Sequence, residues 1–210
     1  SSPSIGRCAR ETLMVKTAMP GLKQIELAAR VIHPGGWAVE TEQPLATLLG
    51  SCVAVCLFDE KLRLAGMNHF LLPTRAAQAG DDPDVVLAGD YAMDVLVNAM
   101  LARGANRRRL VAKAFGGANV SRAIQASIGE KNAEFTVKWL DGAGIPLVAS
   151  DFGGQWPRKL VLLPDTGDAY CRRQMTAGNG LQKLLNDEYR YRKRLDSDNG
   201  RSRVELFGSF

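Results

Sequence analysis

Runs of apolar, β-rich residues alternate along this chain with stretches that have helical spacing, and glycine and proline punctuate the changes. From Leu22 the pattern is strand-like: residues 24–32 (QIELAARVI) and 36–40 (GWAVE) are predicted as short strands around the turn His33-Pro34-Gly35-Gly36. Val53 to Phe58 form an unbroken β-rich run of buried-strand length, and Gly66 to Pro73 form a second. The short segment between them, DEKLRLA, starts polar, so the two runs are predicted to pair as an antiparallel hairpin.

Residues 74–90 read as a loop ending in Asp90, which is predicted to cap a helix from Tyr91 to a stop at Gly104. Arg107-Arg108-Arg109 leads into a strand over LVAKAF, stopped by Gly116-Gly117. A short helix is expected over 119–127, broken by Gly129, and a second over 130–141, ended by Gly142 and Gly144. IPLVASDF is a predicted strand, and KLVLLP with DAYCRR a predicted hairpin around Asp165-Thr166-Gly167. This mixture points to an α/β fold, a layered sandwich of mixed, largely antiparallel sheet with flanking helices.

The ends differ from this body. Residues 1–22 have weak periodicity and are read as an arm, 23–175 as the domain, and 176–210 as a polar, basic tail. Within the tail, LQKLLNDEYRYRKRL suits one short helix, and DSDNGRSR reads as disordered. From Arg172 onward there are nine Lys or Arg against five Asp or Glu, which supplies +4 of the net +5. The first 171 residues carry 18 basic and 17 acidic side chains. A nearly neutral body argues against a nucleic-acid-binding face and leaves open a tail that docks on an acidic partner. No apolar run approaches the roughly 20 residues that span a bilayer, and the first residues lack the apolar core of a signal peptide. The four cysteines, Cys8, Cys52, Cys56 and Cys171, match no metal-binding spacing, so a reduced, cytoplasmic setting is expected.

Candidate chemistry centres on Thr47-Leu48-Leu49-Gly50-Ser51-Cys52. A cysteine after Gly-Ser, at the mouth of an apolar strand, has the means to act as a nucleophile. Gly50 permits a tight turn whose backbone N–H groups, around Gly50 and Ser51, would stabilise an oxyanion. The competing reading is a small buried cysteine that only packs, and Cys56, deeper in the run, is read that way. A nucleophilic thiol needs a base. The chain has two histidines: His33, in a surface turn, and His69, on the strand predicted to lie beside that of Cys52. Thr47, Asp59 and Asp151 are the candidates for a group that orients His69, the two acids lying at strand ends or turns. There is no HExxH, Walker loop or GxGxxG before a helix, and GGAN at 116–119 is too short for a phosphate loop, so neither metal nor cofactor is expected.

The segments LGSCVAVCLFD, GMNHFLLP, FGGANV, IGEKN and SDFGGQWPRKLVLLPDTG, in this order, resemble the bacterial chemoreceptor glutamine deamidases, the CheD family, over roughly residues 24–172. The resemblance implies a cysteine amidohydrolase that converts selected receptor glutamines to glutamates, with Cys52 as nucleophile and His69 as base. It also implies a fold similar to the deamidase domain of cytotoxic necrotizing toxins. Chemoreceptor cytoplasmic domains would be the substrates, and a CheC-type phosphatase is the regulator of some members. Some members are also credited with hydrolysing receptor methyl esters. In at least some members the site's threonine lies six residues before the cysteine; here that position is Ala46, and Thr47 lies five before.

Overall fold

A computed structural model of the chain describes residues 21–72, 83–119, 126–174 and 179–198. Residues 1–20 of the arm and the last twelve residues therefore lie outside the described part, while Leu22, placed in the arm, opens the first helix. The elements run α1 (Leu22–Ala28), β1 (Arg30–Val31), β2 (Trp37–Glu40), β3 (Leu45–Leu49), β4 (Val53–Asp59), β5 (Leu64–Asn68), α2 (Pro83–Ala102), β6 (Leu110–Gly116), α3 (Ala126–Gly142), β7 (Leu147–Phe152), β8 (Arg158–Leu162), β9 (Ala169–Arg173) and α4 (Asn179–Asp198). They form a five-stranded sheet in the order β2-β5-β4-β6-β7 and a four-stranded sheet in the order β1-β3-β8-β9. Pairing is antiparallel except for β1 with β3 and β6 with β7.

The layers follow from strand alternation. In β4, Val53, Val55 and Leu57 face a core shared with Met93, Leu96 and Met100 of α2 and Leu140 of α3. Ala54 and Cys56, on the other face, join Leu45, Leu49, Leu160 and Leu162 of the second sheet. The central strand is thus buried on both faces, which is why its sequence is apolar without alternation. The order is helices, five-stranded sheet, four-stranded sheet. Among the described residues, no helix is long and apolar enough to cross a membrane.

Several expectations are corrected. QIELAARVI is mostly helix α1, with only Arg30 and Val31 extended. Lys23, Gln24, Glu26, Leu27 and Ala28 all favour helix, and no sheet face is offered to Leu27, which is 87% exposed. Asp90 does not cap α2; the helix starts at Pro83, a residue well suited to the first helical position. Gly129 does not break a helix but lies within α3, where a Cβ would collide with the carbonyl oxygen of Gly117. The tail helix is longer than expected and includes Asp196–Asp198.

One ion pair holds the second sheet at its edge with the first. Arg158, 1% exposed, donates to both carboxylate oxygens of Asp151 at 3.1 Å, and Arg173 donates to the same group at 2.9 Å. Burial works to raise the Asp151 pKa, but the bonds from Arg158 and Arg173 outweigh it and hold the carboxyl below its ordinary value. Its contribution to stability is therefore present above the ordinary carboxylate range and is lost as pH falls through it. Asp151→Ala would leave the Arg158 charge buried with only the carbonyls of Trp156 and Gly153. We expect a loss of about 3 kcal/mol in urea unfolding at neutral pH, shrinking as the pH is lowered toward 3.

Candidate active site

The loop between β3 and β4 is organised by where its backbone groups point. The carbonyl of Gly50 accepts from Ala118 N–H at 2.8 Å, that of Ser51 from Asn132 Nδ2 at 2.9 Å, and that of Cys52 from Gly117 N–H at 2.8 Å. With all three carbonyls tied back, the three N–H groups of the same residues face the other way and converge. Gly116 makes this possible: its φ is +120°, and a Cβ there would collide with the Cys52 carbonyl. Asn132, fully buried, also accepts from Leu72 N–H at 2.9 Å and so binds the loop to the segment after His69.

The neighbouring segment delivers the histidine. The β4–β5 register pairs Cys56 with Met67, and a further bridge joins Val53 to Phe70. The same register sets Cys52 diagonally across from His69 on one face of the sheet. Between these pairings the ladder is interrupted: Val55 N–H donates to Asn68 Oδ1 at 2.9 Å, while Asn68 Nδ2 donates to the Ala92 carbonyl at 3.0 Å. The side chain of Asn68 thus replaces a strand-to-strand bond and fixes the residue beside His69.

Thr47 points into the same space from β3, between the buried side chains of Leu45 and Leu49. Its Oγ1 lies 2.7 Å from the Ile32 carbonyl, which can only accept, and 2.8 Å from His69 Nδ1. The hydroxyl proton is therefore committed to Ile32, and Thr47 accepts from Nδ1–H. This sets the tautomer: Nε2 keeps its lone pair, and it has no hydrogen-bond partner among the described residues. Burial holds the His69 pKa down at about 4, against opposing pulls from Glu188 and the Ile32 carbonyl. The ring is therefore neutral near pH 7. Asp59 and Asp151, the acidic alternatives to Thr47, are engaged elsewhere, with Arg109 and with Arg158 and Arg173. His33 is exposed, as its turn suggested.

A residue the sequence did not single out covers this site. Glu188 of α4 is 3% exposed, and its carboxylate accepts from Gly50 N–H at 2.8 Å, Ser51 N–H at 3.1 Å, Cys52 N–H at 3.3 Å and Ser51 Oγ at 2.9 Å. Cys52 Sγ, a ring nitrogen of His69 and a carboxylate oxygen of Glu188 all lie within 4.8 Å of one another. Three ligand types this close are what a metal needs. Here, however, three backbone donors aim at the same spot, which favours negative charge there and repels a cation. Cys52 itself is fully buried rather than open at a strand mouth. Burial, then the charge of Glu188 and its hydrogen bond to the thiol, push the Cys52 pKa well up, and Arg192 only partly offsets this. The thiol is protonated in this arrangement.

Comparison with known proteins bears on what this arrangement belongs to. A family model described as CheD chemotactic sensory transduction matches residues 71–173. A protein of Dechloromonas aromatica named probable chemoreceptor glutamine deamidase CheD 2 is 51% identical over 189 residues, covering 88% of this chain and 96% of that one. This chain belongs to the CheD family. Relatives in Burkholderia thailandensis (42% identical, 76% of this chain and 83% of that one) and Shewanella oneidensis (40%, 89% and 91%) carry the names probable chemoreceptor glutamine deamidase CheD 2 and CheD 1. A solved structure, the Bacillus licheniformis hypothetical protein YfiH, shows only a distant likeness, with TM-score 0.33 and 15% identity over 55% of this chain and 49% of that one. Within this CheD chain, Asn68 and Asn132 come from the stretches GMNHF and IGEKN, which carried the family resemblance although neither residue was read as part of the site.

Proposed function

We propose that this chain hydrolyses the side-chain amide of selected glutamines on chemoreceptor cytoplasmic domains, by a Cys52–His69 thiol mechanism. The observation that carries the proposal is the convergence of the Gly50, Ser51 and Cys52 N–H groups on one carboxylate beside the Cys52 thiol, Gly50 and Cys52 on one of its oxygens and Ser51 on the other. The relatives named chemoreceptor glutamine deamidase supply the substrate class.

The chemistry runs in two halves. His69 Nε2 takes the Cys52 proton as Sγ attacks the glutamine Cδ, and the carbonyl oxygen becomes an oxyanion held by the loop N–H groups. Collapse breaks the C–N bond, and the proton on His69 leaves with the nitrogen as ammonia. Water then attacks the thioester, giving its proton to His69; the C–S bond breaks, and Cys52 recovers that proton. The product is glutamate. Thr47 keeps Nδ1 protonated and so keeps Nε2 basic throughout.

The test is to incubate the purified protein with a receptor cytoplasmic domain in isotopically heavy water and to follow glutamine peptides by mass spectrometry. Site-specific conversion to glutamate with one heavy oxygen is expected. Unchanged glutamines, with receptor binding intact, would leave a non-catalytic adaptor as the better reading. Run on a methylated receptor, the same assay reads methyl-ester hydrolysis, which would pass through the same acyl-enzyme.

Thr47→Val tests the orienting role. It preserves shape but removes the hydroxyl that accepts from Nδ1–H and donates to the Ile32 carbonyl. We expect kcat to fall about ten- to a hundredfold, equivalent to roughly 1–3 kcal/mol, with KM little changed. Thr47→Ser should restore most of the rate; failure of that rescue would point to packing instead.

A further inference from the structure

The groups that stabilise an oxyanion are already occupied by this chain's own carboxylate. Glu188 takes up all three loop N–H groups and the Ser51 hydroxyl. A carboxylate that accepts from every donor in the cradle, beside the thiol, has the shape and charge of the acid that amide hydrolysis leaves behind. Gly50 matches this close approach, since a Cβ there would lie 2.8 Å from a Glu188 oxygen.

α4 delivers Glu188 along one strip. Among its described residues Leu184, Glu188 and Arg192, four residues apart, are the buried side chains, and Tyr191 and Leu195 pack on the inter-sheet core beside them. Tyr191 lies against Gly35, close to the backbone that hydrogen-bonds with His69, and Arg192 donates to Ser51 Oγ at 3.2 Å. The other face carries Lys183, Tyr189, Arg190, Lys193 and Arg194 into solvent or an open groove of about 780 Å³. The result is a helix laid across the site with one side chain inserted, and Cys52 entirely covered.

The hold is of an exchangeable kind. Among the described side chains of α4, Leu184 is the one fully buried aliphatic, Tyr191 and Leu195 being half-buried, and Arg192 Nε is buried without a hydrogen-bond partner. Taking a carboxylate out of water is costly, and here the loop donors offset it. A helix that offers a side-chain carbonyl at the same place would engage part of the same donor set without burying a charge.

We infer that α4 is an internal product mimic: Glu188 occupies the place of the glutamate product, and the substrate docks as a helix on the face that α4 vacates, its target glutamine entering where Glu188 sits. This rests on the deamidation proposed above. Because the mimic is tethered, it competes at high effective concentration, and the apparent substrate affinity is reduced by the fraction of time the site is open.

The experiment uses the full chain, as wild type, Glu188→Ala and Glu188→Gln. The glutamine variant keeps the side-chain volume but sets an amide NH2 against a backbone donor, so it loosens α4 without leaving a cavity. Two readouts are taken: the rate of Cys52 alkylation by iodoacetamide at neutral pH, and kcat and KM on a receptor cytoplasmic domain. We expect both variants to alkylate at least about tenfold faster than wild type and to show a KM lower by a similar factor, with kcat little changed. Alkylation as fast in wild type as in both variants would overturn the inference even if receptor glutamines are converted. A fall in kcat in both variants, with alkylation unaltered, would overturn it too and place Glu188 in the working machinery. Faster alkylation with no receptor conversion by any of the three proteins would instead sink the proposed deamidation, leaving α4 as a cover over Cys52.

Discussion

Cys52→Ala is expected to lower receptor deamidation by about four orders of magnitude or more, the usual consequence of removing a nucleophile whose partners act with it as a unit. No other described thiol can substitute. Cys56 lies in the inter-sheet core, and burial pushes its pKa up to about 12. Cys171 is also pushed up to about 12, by burial and then by the charge of Asp151. Both thiols are thereby held protonated near neutral pH. The fold should hardly notice, because the change is of about one buried atom and costs on the order of 1 kcal/mol. Initial rates by peptide mass spectrometry, alongside a thermal melt, separate the two effects. A variant that melts like wild type yet keeps more than about one percent of the rate would remove Cys52 from the role of nucleophile.

That a cysteine so placed could be picked out from sequence reflects how strongly the central hairpin is encoded. Val53 to Phe58 are apolar because both faces of β4 are covered, and the following run pairs back on them after a short turn. A hairpin register then sets which side chains share a face, so Cys52 and His69 were legible as neighbours. Thr47 was legible only as a nearby hydroxyl. Its strand belongs to the other sheet, pairing with β1 and β8, and packing between sheets is not written in local spacing. The same limit explains the misreading of Gly129. Gly129 sits inside a helix because a carbonyl of a distant loop comes close, and Gly89, inside α2, lies against Phe135 and Leu72. A local reading sees a helix breaker where the tertiary structure needs the absence of a side chain.

Glu188 was beyond such reading altogether. It lies 136 residues after Cys52 in a segment whose composition is that of a solvated helix. The Leu184, Glu188, Arg192 strip has helical spacing, yet two of its three members are charged, so nothing in the pattern marks it as buried. Its burial depends on donors presented by a loop whose carbonyls are held by Gly117, Ala118 and Asn132, an arrangement assembled only in the folded chain.

His69→Ala is the second large effect, an expected fall of about two to four orders of magnitude in kcat. With no histidine the Cys52 proton has no acceptor, and the leaving nitrogen has no donor. His33 is exposed in its turn and is not among the groups gathered around Cys52. The pH dependence sharpens the test. In the covered site His69 titrates at about 4, held down first by burial. Displacing α4 readmits water, which moves the ring toward its ordinary value near 6.5. It also removes the Glu188 charge, which pulls the other way by favouring the protonated ring. The acid limb of kcat/KM for the wild type should therefore fall between about 4 and 6.5, with the base lost as pH falls through it. The residual activity of His69→Ala should show no such limb. Stability should move in step: because folding depresses this pKa, the unfolded chain binds the extra proton first. Wild type then loses stability as pH drops from about 6.5 toward 4, and the variant should lose less over the same window. An acid limb above pH 7, or one that persists unchanged in His69→Ala, would assign the titrating base to another group.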